Sequence, residues 1–347
     1  MTRDELLSLI AEGEIIEGAD LAGLDLSGLD LGGVVFEGVS LRGAKLVGAK
    51  ISESIFNACD FGGAELSGAK ARHTSFHECR MQGAVFKGSD LVDAKFVECD
   101  LSRVSFEGAD LTIVDVIKGR AAETSFRKAK LDRFVLVETE LEKITLDEAE
   151  LERCCLMKAD LSSASLRGAR MHLSVLSGAK LRGQDLSGMD LSFTMLDEAD
   201  LSGCDLRRAE LVQTNFKGAK LTGAKLDGAN AERAMFAEAR LDGASAKGLH
   251  ARQAVFQKAS LEAANLTDAC LYQANFLRAA CKFANLRGAD LSYADFSHAG
   301  VEEADLSHAK LFRARFHQTR AEGAMFTSRA GILGDDEELL EAERWSP

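Results

Sequence analysis

The side chains in this sequence best suited to chemistry are seven histidines and eight cysteines, set among 55 carboxylates. The histidines are His73, His77, His172, His250, His298, His308 and His317, and none pairs with a cysteine at the spacing of a metal site. His73 and His77 flank Phe76 on what should be an outer surface. They read either as cation ligands or as ordinary solvated histidines. Cys59, Cys79 and Cys99 recur at intervals of twenty residues. Stacked, they would form a thiol ladder able to bind a soft metal or to sense oxidation. Alternatively they are small core residues standing in for alanine. Thiols packed inward in apolar surroundings are rarely reactive, which favours the second reading. Nothing resembles a nucleophile elbow, a phosphate-binding loop or a dinucleotide fingerprint. No catalytic residue, metal ligand or cofactor is expected, and the chain reads as a non-enzyme.

What positions these side chains is a repeat. From Ile16 to Phe326 every fifth residue is apolar, without an insertion to shift the register. The weakest members are Ala71, Ala121, Ala231, Ala246, Ala251, Cys281 and Ala321. With that residue called i, position i−2 carries a second, smaller set, such as Ala19, Ala44, Ala109, Ala219 and Ala304. Position i−1 is mostly Asp, Asn, Glu, Lys or Arg. Position i+2 holds 25 of the 31 glycines. A period of five fits neither an α-helix nor a flat strand. Residues i−2 and i point the same way, as in a strand, and a glycine-bearing corner then turns the chain. The one proline is the last residue, Pro347, as a strand-rich interior requires.

The units Ala19-Asp20-Leu21-Ala22-Gly23 and Ala289-Asp290-Leu291-Ser292-Tyr293 resemble the pentapeptide-repeat family, and the resemblance covers about nine-tenths of the chain. It implies an all-β fold, a right-handed quadrilateral parallel β-helix of about 16 coils. Four pentads would make each coil, so residues twenty apart would stack. The sequence supports this independently. Phe36, Phe56, Phe76 and Phe96 share one such ladder with Phe216, Phe236, Phe256, Phe276, Phe296 and Phe316, which reads as stacked core aromatics. On the outside, Asp60, Arg80, Asp100, Arg120 and Glu140, then Asp160, Lys180, Asp200 and Lys220, alternate in sign over most of their length, placing opposite charges on neighbouring strands.

Such a stack needs caps at its ends. Residues 1–13 read as a capping helix, with Thr2 and Glu5 as a capping box and Leu6, Leu7, Leu9 and Ile10 covering the first coil. Residues 14–328 form the solenoid. Residues 329–347 read as an acidic helix or tail, with Trp345 as a candidate anchor.

Two departures mark the outer surface. The first is an acidic belt, Glu138, Glu140, Glu142, Asp147, Glu148, Glu150 and Glu152, against the single Lys143. It is either a docking patch for a basic partner or a solvated surface. The second is a run of outward apolar residues that the twenty-residue coil gathers into one patch. It comprises Val97, Ile117, Val137 and Met157 at i+1, Val135, Cys155, Val175 and Met195 at i−1, and Ile113, Leu173 and Phe193 at the preceding corners. Large exposed apolar patches usually mark interfaces, although β-branched residues also suit exposed strands. In the same stretch Phe134 and Ile144 occupy inward positions usually held by small residues, which predicts a locally widened or repacked core.

The net charge of −13 disfavours direct binding to nucleic acid. No secretory signal or bilayer-spanning run is evident, so the cysteines are expected to be reduced, in a cytoplasm. The leading expectation is a scaffold or adaptor that binds a protein partner, with homodimerisation open and neither nucleic acid nor membrane involved. The segment from Thr2 to Leu31 looks like repeat segments associated with bacterial type VI secretion, which would imply a part in assembling a secreted effector. The alternative is an acidic mimic of duplex DNA that binds DNA gyrase or topoisomerase IV, as some members of the family do. The mixed charge ladder and the unbroken register argue against it.

Overall fold

The structure is a computed structural model and describes residues 1–344. Its chain is a parallel β-solenoid of about 16 turns and divides into two compact units, Met1–Val175 and Leu176–Pro347.

Unit 1 opens with α1 (Arg3–Glu12). Thr2 Oγ1 accepts the Glu5 amide at 3.3 Å, and Glu5 Oε2 accepts the Thr2 amide at 2.8 Å, completing the capping box. Leu6 is the helix residue that is fully buried; Leu7, Leu9 and Ile10 are half-buried. Seven short strands then stack in parallel: β1 (Ile16–Glu17), β2 (Val35–Glu37), β3 (Ile55–Asn57), β4 (Ser75–His77), β5 (Lys95–Val97), β6 (Asp115–Ile117) and β8 (Val135–Val137). Between the last two, β7 (Arg120–Ala122) pairs with β9 (Glu140–Glu142). Every pairing joins residues twenty apart, Phe36 to Phe56 and Phe56 to Phe76 for example. Unit 2 is built mostly of single parallel bridges at the same interval, such as Asp200 to Lys220. It ends with β10 (Asp305–Leu306), β11 (Met325–Phe326) and α2 (Glu337–Arg344). Its last bridge, Arg315 to Leu333, spans only eighteen residues, so the chain beyond residue 328 adds a tightened final turn before α2. Trp345 lies outside the described residues.

The pentad has a physical reason at each position. Residue i and its small partner at i−2 are buried almost without exception. Rings on the phenylalanine ladder stack near-parallel, with centroids 4.7 Å apart for Phe36–Phe56 and 4.8 Å for Phe256–Phe276. A second stack, Phe86–Phe106–Phe126, with centroids 5.3 Å apart at each step, fills another inward face of unit 1. Position i+2 takes a left-handed backbone at nearly every corner, as at Gly23 with φ of 68°, which explains the glycine enrichment. Position i−1 favours Asp and Asn because the side chain accepts the amide of i+1: Asp20 Oδ1 takes Ala22 N–H at 3.1 Å and Asp290 Oδ1 takes Ser292 N–H at 3.1 Å.

Candidate functional site

The three stacked cysteines are buried, and their thiols donate to backbone carbonyls of the preceding coil, Cys59 to Phe36, Cys79 to Phe56 and Cys99 to Phe76. The flanking thiols of Cys59 and Cys99, together with burial, push the Cys79 thiol above its ordinary range. Cys59 and Cys99, hydrogen-bonded to Cys79, shift the opposite way; all three thiols fill interior positions of the coil. His73 is exposed and sits 2.9 Å from Asp93; His77 is exposed on β4.

On the charge ladder Arg80 lies 3.4 Å from Asp60, and on another face Lys130 lies 3.5 Å from Asp110. The acidic belt is divided, and three of its seven carboxylates carry a basic partner. Glu148 pairs with Arg127 at 3.2 Å and Lys128 at 3.6 Å, Glu150 with Arg170 at 3.9 Å, and Glu142 with Lys143 at 3.5 Å. Asp147 is a structural cap, accepting Ser165 Oγ at 2.6 Å and Arg167 N–H at 3.0 Å. Among the described residues Glu138, Glu140 and Glu152 have no basic group within 4 Å.

The outward apolar residues divide in the same way. Val97, Ile117 and Val137 are successive ladder partners, as are Val135, Cys155 and Val175. Val97, Ile117, Val135, Cys155 and Val175 are half-buried, whereas Val137, Met157, Ile113 and Leu173 are exposed. Phe193 and Met195 are exposed on unit 2.

At one place the two features merge. Leu136, Val137, Glu138, Thr139, Glu140, Leu141, Cys155, Met157, Lys158 and Ala159 enclose a hollow of about 420 Å³. It opens where the coil-to-coil ladder changes partners. Leu136 N–H still reaches the Cys155 carbonyl at 2.9 Å. Lys143 N–H, however, turns from the backbone to Ser163 Oγ at 3.0 Å. Bulk inside accompanies the opening. Phe134 and Ile144 are buried, as expected of a repacked core, while Leu141, elsewhere an inward position, is only half-buried. Thr139 takes an inward position and bonds the carbonyls of Val116 and Val137 at 3.2 and 3.1 Å. The walls are mainly apolar, and the rim carries Glu138, Glu140 and Lys158. This arrangement can accept one apolar side chain and place a cation beside the two carboxylates. Leu136, Leu141, Thr139, Lys158 and Ala159 are not distinguished in the sequence, because the hollow arises from a change in pairing and not from a motif.

A second cluster lies near the C-terminal end of unit 2. His317 occupies position i+1, normally outward, yet is fully buried. The Asp336 amide donates to its Nδ1 at 3.1 Å. Glu343 on α2 reaches His298 Nε2 at 2.9 Å and His317 Nε2 at 3.3 Å. Against the upward push of burial, these imidazoles hold the Glu343 carboxyl below its ordinary value. Sequence spacing gives no sign of this group, since Glu343 comes from outside the repeat.

No curated protein sequence matches the chain. Among solved structures, QnrB1, a plasmid-mediated fluoroquinolone resistance protein, is 26% identical over 54% of this chain and 91% of its own, with a TM-score of 0.34. HetL, a pentapeptide repeat protein involved in heterocyst differentiation regulation from the cyanobacterium Nostoc sp. strain PCC 7120, is 26% identical over 82% of this chain and 96% of its own, with a TM-score of 0.21. A pentapeptide repeat protein from the Arabidopsis thaliana thylakoid lumen is also 26% identical, over 47% of this chain and 77% of its own, with a TM-score of 0.12. The family described as pentapeptide repeats (8 copies) matches residues 19–57 and, in successive copies, all of 124–327, and a pentapeptide repeat region matches residues 49–126. With its pentads matched over most of its length and stacked twenty residues apart, the chain belongs to the pentapeptide repeat family.

Proposed function

We propose that this chain is a non-catalytic protein-binding scaffold, and that the hollow between Leu136 and Ala159 is its docking point for a protein segment presenting one large apolar side chain next to Lys or Arg. The observation that carries this reading is the coincidence of an apolar hollow with the two carboxylates of the belt, Glu138 and Glu140, that lie on its rim without an ion pair among the described residues. Burying an apolar anchor supplies affinity, and the rim acids supply orientation and choice of partner. The N-terminal resemblance makes a type VI effector assembly in a bacterial cytoplasm the first setting in which to seek the partner.

The test uses wild type and Val137→Asp/Met157→Asp as baits in extract from the source cells. The expected outcome is a partner retained by wild type at both low and high salt and lost by the double variant, since apolar docking resists screening. Retention of the same proteins by both baits would remove the hollow from the function. Salt-labile capture of a type II topoisomerase, equal for both baits, would favour the DNA-mimic reading. Light scattering on the same pair shows whether the partner is a second copy of the chain.

A further inference from the structure

His298 and His317 stand on successive turns of unit 2. The His298 amide donates to the His317 carbonyl at 2.8 Å, and the two rings meet edge-on with centroids 5.4 Å apart. α2 lays Glu343 across both, one carboxylate oxygen to each ring. The three ligand atoms lie within 4.8 Å of one another. Side-chain exposure is 29% for His298, 36% for Glu343 and 0% for His317. The set thus joins a buried imidazole, a half-covered imidazole and a carboxylate from a separate element, all converging on one point.

A tetrahedral Zn²⁺ with bonds of about 2.0–2.1 Å has ligand-to-ligand edges of roughly 3.3–3.4 Å. His317 Nε2 stands 3.3 Å from Glu343 Oε2 and His298 Nε2 2.9 Å from Oε1, so a rotation of the carboxylate brings one oxygen to edge distance of both rings. Small side-chain rotations bring the imidazole nitrogens into the same sphere. Two imidazoles and one carboxylate suit a d-block cation better than Mg²⁺ or Ca²⁺, which take oxygen ligands.

We propose that His298, His317 and Glu343 form a binding site for a Zn²⁺-class cation that clamps α2 onto the last turns of unit 2. Without the cation, His317 Nδ1 accepts the Asp336 amide, so Nε2 carries the ring proton and donates to Glu343. With the cation on Nε2, the ring proton sits on Nδ1, where Asp335 Oδ1, 3.7 Å away, is the acceptor at hand. A carboxylate behind a ligating histidine is the usual outer partner of such a site. The Asp336 bond is given up in the exchange, which makes the affinity lower than that of a fully preformed site. A water completes the coordination. The consequence is structural: the final turn, where Phe326 is only half-buried, leaves a strand edge, and the clamp fixes a helix beside it.

The test titrates tag-free, chelator-treated full-length chain with Co²⁺ and then Zn²⁺. One equivalent of Co²⁺ should give the visible absorption of a tetrahedral nitrogen–oxygen site without a thiolate charge-transfer band, and Zn²⁺ should displace it. Glu343→Gln and His298→Ala, both at partly exposed positions, should weaken binding about 100-fold, and Asp335→Asn about tenfold, with circular dichroism unchanged. His317 is left intact because it is buried. Absence of a stoichiometric band overturns the proposal. So does a thiolate band, which would place the cation on the half-exposed Cys155 or Cys270, or an affinity unaltered in the variants.

Discussion

The turns around Phe216–Phe316 and the stretch from Phe134 to Ala159 are built from the same pentad, yet one is closed and the other hollow. In the first, alanine or another small residue sits at i−2, phenylalanine stacks at i, and corner after corner is capped by Asp or Asn, as Asn275 Oδ1 caps Leu277 N–H at 2.8 Å and Asp295 Oδ1 caps Ser297 N–H at 2.9 Å. In the second, leucine and not phenylalanine holds every i position, and the small residue at i−2 gives way twice. Phe134 and Ile144 crowd the inner positions. Position i−1 reads Val135, Glu140, Thr145, Glu150 and Cys155, with no Asp or Asn. Its corners, like those at Arg233, Gln253 and Arg278 in the first, place residues with a β-carbon, from Arg133 to Lys158, at positive φ where glycine would be unstrained. A left-handed backbone costs a residue with a β-carbon roughly 1–2 kcal/mol. The comparison teaches that a regular repeat is stable and featureless, and that a site is made by withdrawing its stabilising devices from one coil.

The largest expected effect tests that contrast directly. Phe256→Ala, inside the stacked ladder, should destabilise by about 3–5 kcal/mol. Leu141→Ala, already half-exposed at the hollow, should cost about 1 kcal/mol or less. Urea unfolding of the two variants, followed by hydrogen exchange to assign the loss to a unit, measures both. Equal losses would mean that the hollow is packed as tightly as the ladder. Thiol chemistry gives the second contrast. Burial pushes Cys154 and Cys281 up to about 12, whereas Cys155 at the hollow is half-exposed. Maleimide labelling of the native chain should modify Cys155 and Cys270 first and leave Cys154 and Cys281 unlabelled until the chain opens. Early labelling of Cys154 would show that the hollow reaches into the core.

Much of this architecture is legible in the sequence. The pentad, the twenty-residue stacking, the phenylalanine ladder, the capping box at Thr2 and the inward burial of Cys59, Cys79 and Cys99 all follow from side-chain polarity at fixed spacing, and polarity is what a sequence displays. The value of Asp and Asn at i−1 is visible there only as polarity, because the amide they cap belongs to the corner geometry. The hollow is half-legible. Phe134 and Ile144 announce a disturbed core and Val137 and Met157 an apolar surface, but the change of partner at Lys143 depends on how one coil settles on the next. The belt looks continuous in one dimension and is divided in three, since Arg127, Lys128 and Arg170 reach it from adjacent coils. The cluster of His298, His317 and Glu343 is not legible, because α2 folds back from outside the repeat to complete it.

A smaller effect sharpens the account of the corners. Ile113 holds φ of 61°, and a β-branched residue there is strained. Ile113→Gly should stabilise unit 1 by about 1 kcal/mol, less whatever packing the exposed side chain contributes. A rise in the unfolding midpoint supports the view that corner strain in unit 1 is real; a fall would show that Ile113 packs against something of value.

The smallest effect concerns acid. Hydrogen bonds from Ser202, opposed by burial, hold Asp200 below its ordinary 3.8, and hydrogen bonds from Ser307 do the same for Asp305. A carboxylate with a depressed folded-state value stabilises the fold above its unfolded value and loses that contribution as pH falls through the folded one. The regular turns should therefore weaken below about pH 4, as these corner carboxylates take up protons. Asp200→Asn keeps the side-chain oxygen that accepts the Ser202 amide and removes the proton equilibrium. It should cost about 0.5 kcal/mol at neutral pH and make the thermal midpoint less dependent on pH between about 4 and 2. An unchanged acid profile in this variant would mean that acid acts on the units elsewhere, and the corner acids would then differ from those of the hollow in geometry alone.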